Sequence, residues 1–200
     1  MADIIYTYKN QVYANITNKC DCACTFCIRS LKDHVEQGEG TLWHTVPPTF
    51  EDIKAAIDAF DFTNYTEFVF CGYGEPTCEL DLMLATAKYI KEKTGLPIRL
   101  NTNGLGSLYN KKDIVSLLAE TIDSVSVSMN APDAESYQAI TRPQFPDAYK
   151  DMLDFASRCK EEGLGVQLSI VDVLSPEDIA KCQATADERG IYLRIRKYGE

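Results

Sequence analysis

Short apolar, β-branched segments alternate along the chain with longer segments of helical periodicity. The first kind is typical of buried strands and the second of amphipathic helices. The predicted strands are residues 12–17, 67–72, 97–103, 123–129, 165–173 and 191–197. The predicted helices are residues 49–60, 80–95, 110–121, 148–163 and 175–190. Repeated strand–helix units predict parallel strands joined by right-handed crossovers, and therefore an α/β fold.

The ends of the predicted helices carry matching signals. Thr49 and Asp52 have the spacing of a capping box, and Gly95 follows a segment of helical periodicity. Six such units predict either an open, doubly wound sheet or an incomplete (β/α) barrel, and periodicity alone does not separate the two. In both architectures, ligands bind at the C-terminal ends of the strands.

Polar, glycine-rich or metal-ligating residues lie at the end of every predicted strand or directly after it. In chain order they are Asn18 with a cysteine cluster, residues 72–77, residues 101–104, Ser128 to Asn130, Val171 with Asp172, and Arg194 with Arg196. The opposite end has ordinary turns, such as residues 93–97. Because the C-terminal ends of parallel strands meet at one edge of the sheet, these residues predict one extended site.

Composition narrows the class of protein. The chain has 200 residues, 45% of them apolar and 25% charged, which is ordinary for one globular domain, and we expect residues 1–200 to form one. Neither a signal peptide nor an apolar run long enough to span a membrane is present, so we expect a cytoplasmic protein without a membrane partner. The net charge of −10 argues against a nucleic-acid partner.

Four of the eight cysteines lie between Cys20 and Cys27, in the sequence CDCACTFC. Cys20, Cys24 and Cys27 have the spacing C-x3-C-x2-C, which suits three irons of a 4Fe–4S cluster and leaves the fourth iron open. A structural zinc site normally needs four ligands, and no second closely spaced pair follows. We therefore predict that Cys20, Cys24 and Cys27 are metal ligands and that Cys22 is a spare thiol.

The cysteine motif and the later GYGEP sequence together resemble the radical S-adenosylmethionine (SAM) superfamily, in which an aromatic residue, here Phe26, precedes the last cysteine. Further segments resemble one subfamily, the TatD-associated radical SAM proteins. These segments are residues 26–29, 42–49, 67–77, 99–105, 126–137, 142–143, 179–183 and 193–199. The resemblance implies a partial (β/α)6 TIM-like barrel of the radical SAM type, a 4Fe–4S cluster and SAM as cofactors, and reductive cleavage of SAM to a 5′-deoxyadenosyl radical that abstracts a substrate hydrogen.

The resemblance also implies a set of SAM contacts. These are Phe26, Gly72, Tyr73, Gly74, Glu75, Pro76, Asn101, Asn103, Ser128, Asn130, Val171, and Arg194 or Arg196. The GYGEP backbone and Glu75 are expected to receive the methionyl amine, the backbone of Phe26 the adenine, and the Ser128–Asn130 pair the ribose or carboxylate. Arg194 and Arg196 lie on one face of their strand, so alternation does not choose which of them meets the SAM carboxylate.

Substrate and partners stay open at this point. The resemblance admits a glycyl-radical-enzyme activase acting on a protein or peptide, or a deazapurine-forming enzyme acting on a small molecule. It also implies an external electron donor such as flavodoxin or ferredoxin. Residues 31–48 form a long connection whose Trp43–His44 pair is a candidate substrate or partner contact. An alternative of another class is an iron–sulfur or zinc module without SAM chemistry, which leaves GYGEP unexplained.

Overall fold

The computed structural model describes residues 2–27, 29 and 41–198. Its described part contains one sheet of seven strands in sequential order. The strands are β1 (Ile5–Tyr8), β2 (Gln11–Ala14), β3 (Glu67–Phe70), β4 (Ile98–Thr102), β5 (Ser124–Ser128), β6 (Gly165–Val171) and β7 (Tyr192–Arg196). The helices are α1 (Phe50–Ala59), α2 (Leu80–Thr94), α3 (Gly106–Tyr109), α4 (Val115–Ala119), α5 (Ala134–Thr141), α6 (Ala148–Glu161) and α7 (Pro176–Glu188).

Strands β2 to β7 are parallel, and each pairs with the next strand along the chain. A doubly wound sheet reverses its strand order at a switch point, whereas this order never reverses. Right-handed crossovers that always advance in one direction place the helices on one face of the sheet. The predicted partial (β/α)6 barrel is therefore confirmed.

Strand β1 was not among the predicted strands. It pairs antiparallel with β2 through a tight turn at Lys9 and Asn10, where Lys9 has a φ of 54°. The predicted helix over residues 110–121 is confirmed only over α4, which begins at Val115, while the separate helix α3 ends at Tyr109. Lys111 has a φ of 53°, and the Asp113 carboxylate accepts a hydrogen bond from the Val115 amide, so the intervening residues form a turn.

The two faces of the sheet differ in polarity. One face carries buried apolar side chains such as Phe68, Leu100 and Leu168, which pack into the core beneath the helices. Alternate residues point to the opposite face, which we call the lumen face, and these are largely polar, as in Arg99 and Gln167. The hydrophobic core thus lies between the sheet and the helices.

Two capping signals predicted from the sequence lie at the ends of helices in the structure. Thr49 and Asp52 form the predicted capping box at the start of α1, and Gly95 ends α2 with a φ of 68°. None of the helices in the described residues is long and apolar enough to cross a membrane.

Candidate functional site

The cysteine loop follows β2 and is bound through its backbone to the chain after α5. The Thr25 amide donates to the Ile140 carbonyl at 2.9 Å, and the Gln144 amide donates to the Asp21 carbonyl at 3.0 Å. Cys22 forms a β-bridge with Pro143. These contacts place the loop across the C-terminal ends of the strands, an end of the sheet that we call the mouth.

The thiols of this loop divide into two kinds. Cys20, Cys24 and Cys27 are partly exposed, whereas Cys22 is buried in the core. Hydrogen bonds with Cys20 and Cys24, together with burial, raise the pKa of the Cys22 thiol, and the hydrogen bond with Cys22 lowers the pKa of Cys24. Cys22 is thus the buried one of the four thiols in this loop.

The GYGEP sequence lies directly against the start of the cysteine loop. The Glu75 amide donates to the Lys19 carbonyl at 2.7 Å. A Cβ atom added to Gly74 would lie 2.3 Å from the Thr17 carbonyl oxygen and 2.6 Å from that of Lys19. Only a glycine allows this approach, so the sequence at Gly74 determines how closely the two loops pack.

Glu75 links the ends of β3 and β4. Its Oε1 atom accepts hydrogen bonds from the amide and hydroxyl of Thr77 and from the Thr102 hydroxyl, and its Oε2 atom accepts from the Asn103 amide at 2.8 Å. Burial raises the pKa of Glu75 to about 7, against the lowering effect of the Asn103 amide. The carboxylate therefore holds the mouth together, and four internal donors already use most of its acceptor capacity.

Asn103 connects the loop after β4 with the cysteine loop after β2. Its side-chain amide donates to Asp21 Oδ1 at 2.5 Å, and Asp21 is a buried residue of the cysteine loop. Burial raises the pKa of Asp21, while this hydrogen bond lowers it. The loops after β2, β3 and β4 are thus connected pairwise into a closed ring of contacts.

The remaining predicted SAM contacts fall on the rest of the mouth. Asn130 follows β5 with a φ of 58°, a left-handed conformation that asparagine tolerates well, and its amide approaches the Ser169 carbonyl. Ser128 ends β5 next to it, and Val171 pairs with Arg196 at the ends of β6 and β7. Phe26 is half-buried in the cysteine loop.

Arg194 has a different position. It pairs with Ser169 two residues before the end of β7, and its side chain lines a cavity at the opposite end of the sheet. The structure therefore separates the two arginines that strand alternation left equivalent, with Arg196 at the mouth and Arg194 nearer the lower end.

Tyr73 is buried, and its amide donates to the Asn15 side chain.

Sequence reasoning missed Asn15, a buried residue beside the mouth, and it named His44 only as a candidate substrate or partner contact. Asn15 donates to the Leu42 carbonyl at 2.6 Å, and His44 Nε2 lies 2.9 Å from both the main-chain oxygen and the side-chain nitrogen of Asn15. A Cβ atom on Gly72 would lie 2.1 Å from Asn15 Oδ1. Trp43, by contrast, is 47% exposed. Most of the predicted long connection, residues 31–40, lies outside the described residues.

The chain belongs to the radical SAM superfamily, because the model of that family matches residues 14–188. A GTP 3′,8-cyclase of Paenarthrobacter nicotinovorans is 27% identical over 187 residues, covering 90% of this chain and 48% of that enzyme. A putative glycyl-radical enzyme activating enzyme of Methanocaldococcus jannaschii is 28% identical over 170 residues, covering 83% of this chain and 57% of that protein. The chain thus spans about half the length of these relatives.

Solved structures share the fold. Streptococcus suis SuiB bound to the precursor peptide SuiA superposes with a TM-score of 0.70 at 18% identity, covering 98% of this chain and 41% of that one. Methylornithine synthase (PylB) gives a TM-score of 0.65 at 14% identity, covering 94% of this chain and 53% of that one. SuiB bound to SAM gives a TM-score of 0.65 at 18% identity, covering 94% of this chain and 38% of that one. At these identities, the likeness concerns the fold alone.

The superfamily implies a 4Fe–4S cluster and SAM, and the mouth offers groups that suit both. Thiolates are the usual ligands of iron–sulfur clusters, and three partly exposed thiols lie on one loop. The described residues contain no group of three or more His, Cys, Asp or Glu side chains already arranged to hold a metal ion. Three buried oxygens, Asp21 Oδ2, Asn101 Oδ1 and Asn130 Oδ1, accept no hydrogen bond from described residues, so they suit a ligand with hydroxyl or amine donors.

Proposed function

We propose that this chain forms a radical SAM core domain, in which Cys20, Cys24 and Cys27 hold a 4Fe–4S cluster and the mouth binds SAM. The observation that carries the proposal is the direct contact between the cysteine loop and GYGEP, where the Glu75 amide meets the Lys19 carbonyl. When bound, the cluster and SAM supply reductive cleavage of SAM and a 5′-deoxyadenosyl radical that removes a hydrogen atom from a substrate.

The residues at the mouth have distinct proposed tasks. The backbone of residues 72–76 receives the methionyl amine, while the Glu75 carboxylate positions that backbone through its bonds to Thr77 and Asn103. Asn130 and Ser128 contact the ribose or carboxylate, and the unpartnered Asn130 Oδ1 supports this assignment. The side chains of Tyr73 and Val171 and the backbone of Phe26 surround the rest of SAM.

Arg196 is the better placed of the two arginines for the SAM carboxylate, because it lies at the mouth beside Val171. A guanidinium bonds a carboxylate through two parallel hydrogen bonds, which would fix the orientation of the methionyl group. Asn101 and Asn103, at the end of β4, complete the proposed SAM contacts.

The cellular setting is part of the same proposal. Reduction of the cluster needs an external donor such as flavodoxin or ferredoxin, and a cytoplasmic location keeps the thiols reduced. The TatD-associated subgroup is the finer assignment that the sequence motifs support. The relatives include a GTP cyclase and a putative activating enzyme, so both a small molecule and a protein are substrate classes to test.

The test is anaerobic reconstitution with iron and sulfide, followed by reduction with SAM and an assay for 5′-deoxyadenosine. We expect Cys20→Ala, Cys24→Ala and Cys27→Ala each to lose the full cluster and SAM cleavage. Cys22→Ala is the matched control, because it removes a thiol from the same loop and should keep both. Full cluster assembly and SAM cleavage in all three ligand variants would refute the proposal.

The alternative of an iron–sulfur or zinc module gives a different result in the same assay. Such a module would bind metal through these cysteines and release no 5′-deoxyadenosine. The closed ring of contacts among the loops after β2, β3 and β4 supports the enzymatic proposal instead, because it connects the cysteine loop to two further strand ends.

A further inference from the structure

The lumen face has an unusual composition for a (β/α) barrel. The interior of a closed barrel is filled by bulky branched side chains, which make it a packed core. Here most lumen positions of three neighbouring strands are polar, the exceptions being Gly165 and Val171 at the two ends of β6. The polar ones are Arg99 and Asn101 on β4, Ser124, Ser126 and Ser128 on β5, and Gln167 and Ser169 on β6. A polar lumen leaves room for water or a polar ligand rather than a hydrophobic core.

A cavity of about 370 Å³ opens at the lower end of this lumen. Its lining includes the first residues of five strands, β2, β3, β5, β6 and β7, so the cavity lies at the N-terminal ends of the strands, opposite the mouth. Pockets for small molecules typically measure roughly 300–1,000 Å³. The lower cavity, as we call it, is therefore large enough for a small molecule or for part of one.

Two arginines and one carboxylate line the lower cavity. Arg99 is only 8% exposed, and its Nε and Nη2 atoms each lie 3.1 Å from Glu67 Oε2. Gln11 supports this pair by accepting from Arg99 and donating to Glu67. Arg194 lines the same cavity, and its side chain forms no hydrogen bond or ion pair with any residue that the structure describes. Two guanidinium groups thus face one carboxylate.

This positive charge lies inside a protein whose net charge is −10. A guanidinium presents a fork of N–H donors that matches carboxylate and phosphate oxygens, and it stays charged at every physiological pH. Beside it, the Gln167 side-chain nitrogen donates to Ser126 Oγ, so the Gln167 carbonyl oxygen is left to orient a ligand donor. The lower cavity thus combines a cation that pairs with no described side chain and polar neighbours.

We propose that the lower cavity binds the anionic group of a small polar substrate, a carboxylate or a phosphate, through Arg194, with the paired Arg99 as a second positive wall. This inference rests on the proposed function, since it places the substrate in the lumen below the SAM site. Asn103, directly after β4, is four residue steps or about 13 Å of extended chain from Arg99, so a molecule of that length would reach the mouth.

The experiment measures anion binding by the full chain, both as purified and after anaerobic reconstitution. Inorganic phosphate and malonate serve as probes in titration calorimetry, at constant ionic strength and against chloride. We expect one or both to bind, at least about tenfold more weakly to Arg194→Gln than to the wild type. Binding by malonate alone identifies a carboxylate site, and binding by phosphate alone identifies a phosphate site.

Arg158→Gln is the matched control, because it removes the same charge from α6, outside the lining of the lower cavity. It should keep the affinity for the probe. Gln167→Glu adds a carboxylate to the lower cavity without changing its size, and it should abolish binding even if Arg194→Gln folds poorly. Absence of anion binding by the wild type, or equal losses in Arg194→Gln and Arg158→Gln, would overturn the inference.

The two proposals fail separately. Anion binding does not depend on SAM cleavage, so a chain that cleaves SAM but binds neither probe loses only the lower-cavity inference. A chain that binds a probe through Arg194 but releases no 5′-deoxyadenosine loses the proposed function instead.

Discussion

At the mouth, loops are tied to one another largely through backbone groups, whereas at the lower end of the lumen the contacts run between side chains of the strands. Gly74 and the Glu75 amide pack onto main-chain carbonyls, and Glu75 accepts from the Asn103 amide. At the lower end, Gln11 and Glu67 pair through their strand backbones, and Glu67, Arg99 and Gln11 are also bonded through their side chains. The backbone packing at Gly74 tolerates few substitutions, while side-chain contacts can change without disturbing the sheet. This difference suits the proposed fixed cofactor site above the proposed variable substrate site.

The comparison predicts that two glycines differ in their tolerance of alanine. Gly74→Ala places a methyl group against two backbone carbonyls, so we expect a loss of at least about 4 kcal/mol in the free energy of unfolding. Gly165→Ala, in the lower cavity, meets the Ser124 side chain at 3.2 Å and should cost less than about 1 kcal/mol. Urea unfolding followed by circular dichroism measures both. Equal costs would show that the mouth is no more rigid than the lower end.

The buried carboxyl at the mouth predicts a dependence of stability on pH. Folding raises the pKa of the Glu75 carboxyl from its ordinary value of 4.5 to about 7. Between these two pH values, the folded protein keeps a proton on Glu75 that the unfolded chain has released. This stabilisation is fully present below the unfolded pKa and is lost as pH rises to about 7.

Relative to Glu75→Gln, the wild type should lose up to about 3 kcal/mol of unfolding free energy between about pH 4.5 and pH 7. Urea unfolding of both proteins across this range isolates the effect, since the other carboxyls titrate in each. A difference that grows in favour of the wild type as pH rises would contradict the assignment.

Two adjacent residues beside the mouth should differ in their contribution to stability. His44→Ala removes the buried ring that contacts Asn15, leaving buried polar groups without a partner, and should cost about 2 kcal/mol. Trp43→Ala removes a half-exposed ring and should change stability by no more than about 0.5 kcal/mol. Thermal unfolding compares the two variants. A larger loss for Trp43→Ala would mean that this ring packs against the mouth.

A smaller effect than that of Gly74→Ala is expected from the ion pair at the lower end. Glu67→Gln keeps the size of the side chain but removes the charge facing the mostly buried Arg99, which keeps Gln11 as an acceptor, and it should cost about 2 kcal/mol. The loss should shrink further in high salt, because part of the pair is accessible to solvent. Unfolding at low and high ionic strength provides the measurement. A loss as large as that for Gly74→Ala would remove the contrast between the two ends.

Much of the fold could be predicted from local sequence. The six parallel strands and most helices follow from apolar periodicity, and the capping box at Thr49 and the glycine at Gly95 mark real helix ends. Strand β1 was missed because its four residues carry only a short alternation next to a two-residue turn. Helix α5 was missed although Asp133 caps it by accepting from the Ser136 amide, because its sequence was interpreted only as a motif.

For the candidate site, the sequence predicted the positions of residues at strand ends but not their contacts. Cysteine spacing and GYGEP place the candidate residues at strand ends, and parallel pairing brings those ends together. The roles of Asn15, His44 and Asp21 gave no sequence signal, because each depends on contacts with residues distant along the chain. The same holds for Glu75, whose motif position was evident but whose bonds to Thr102 and Asn103 were not.

The sequence by itself determined the strand–helix alternation, the cysteine spacing and the polar residues after each strand, since these depend on local periodicity and residue chemistry. Only the tertiary structure decided that Arg196 lies at the mouth while Arg194 lines the lower cavity, and that Cys22 is buried while Cys20, Cys24 and Cys27 are partly exposed. The reason is physical. Strand alternation assigns a face to a residue, but its depth along the lumen depends on the register with neighbouring strands.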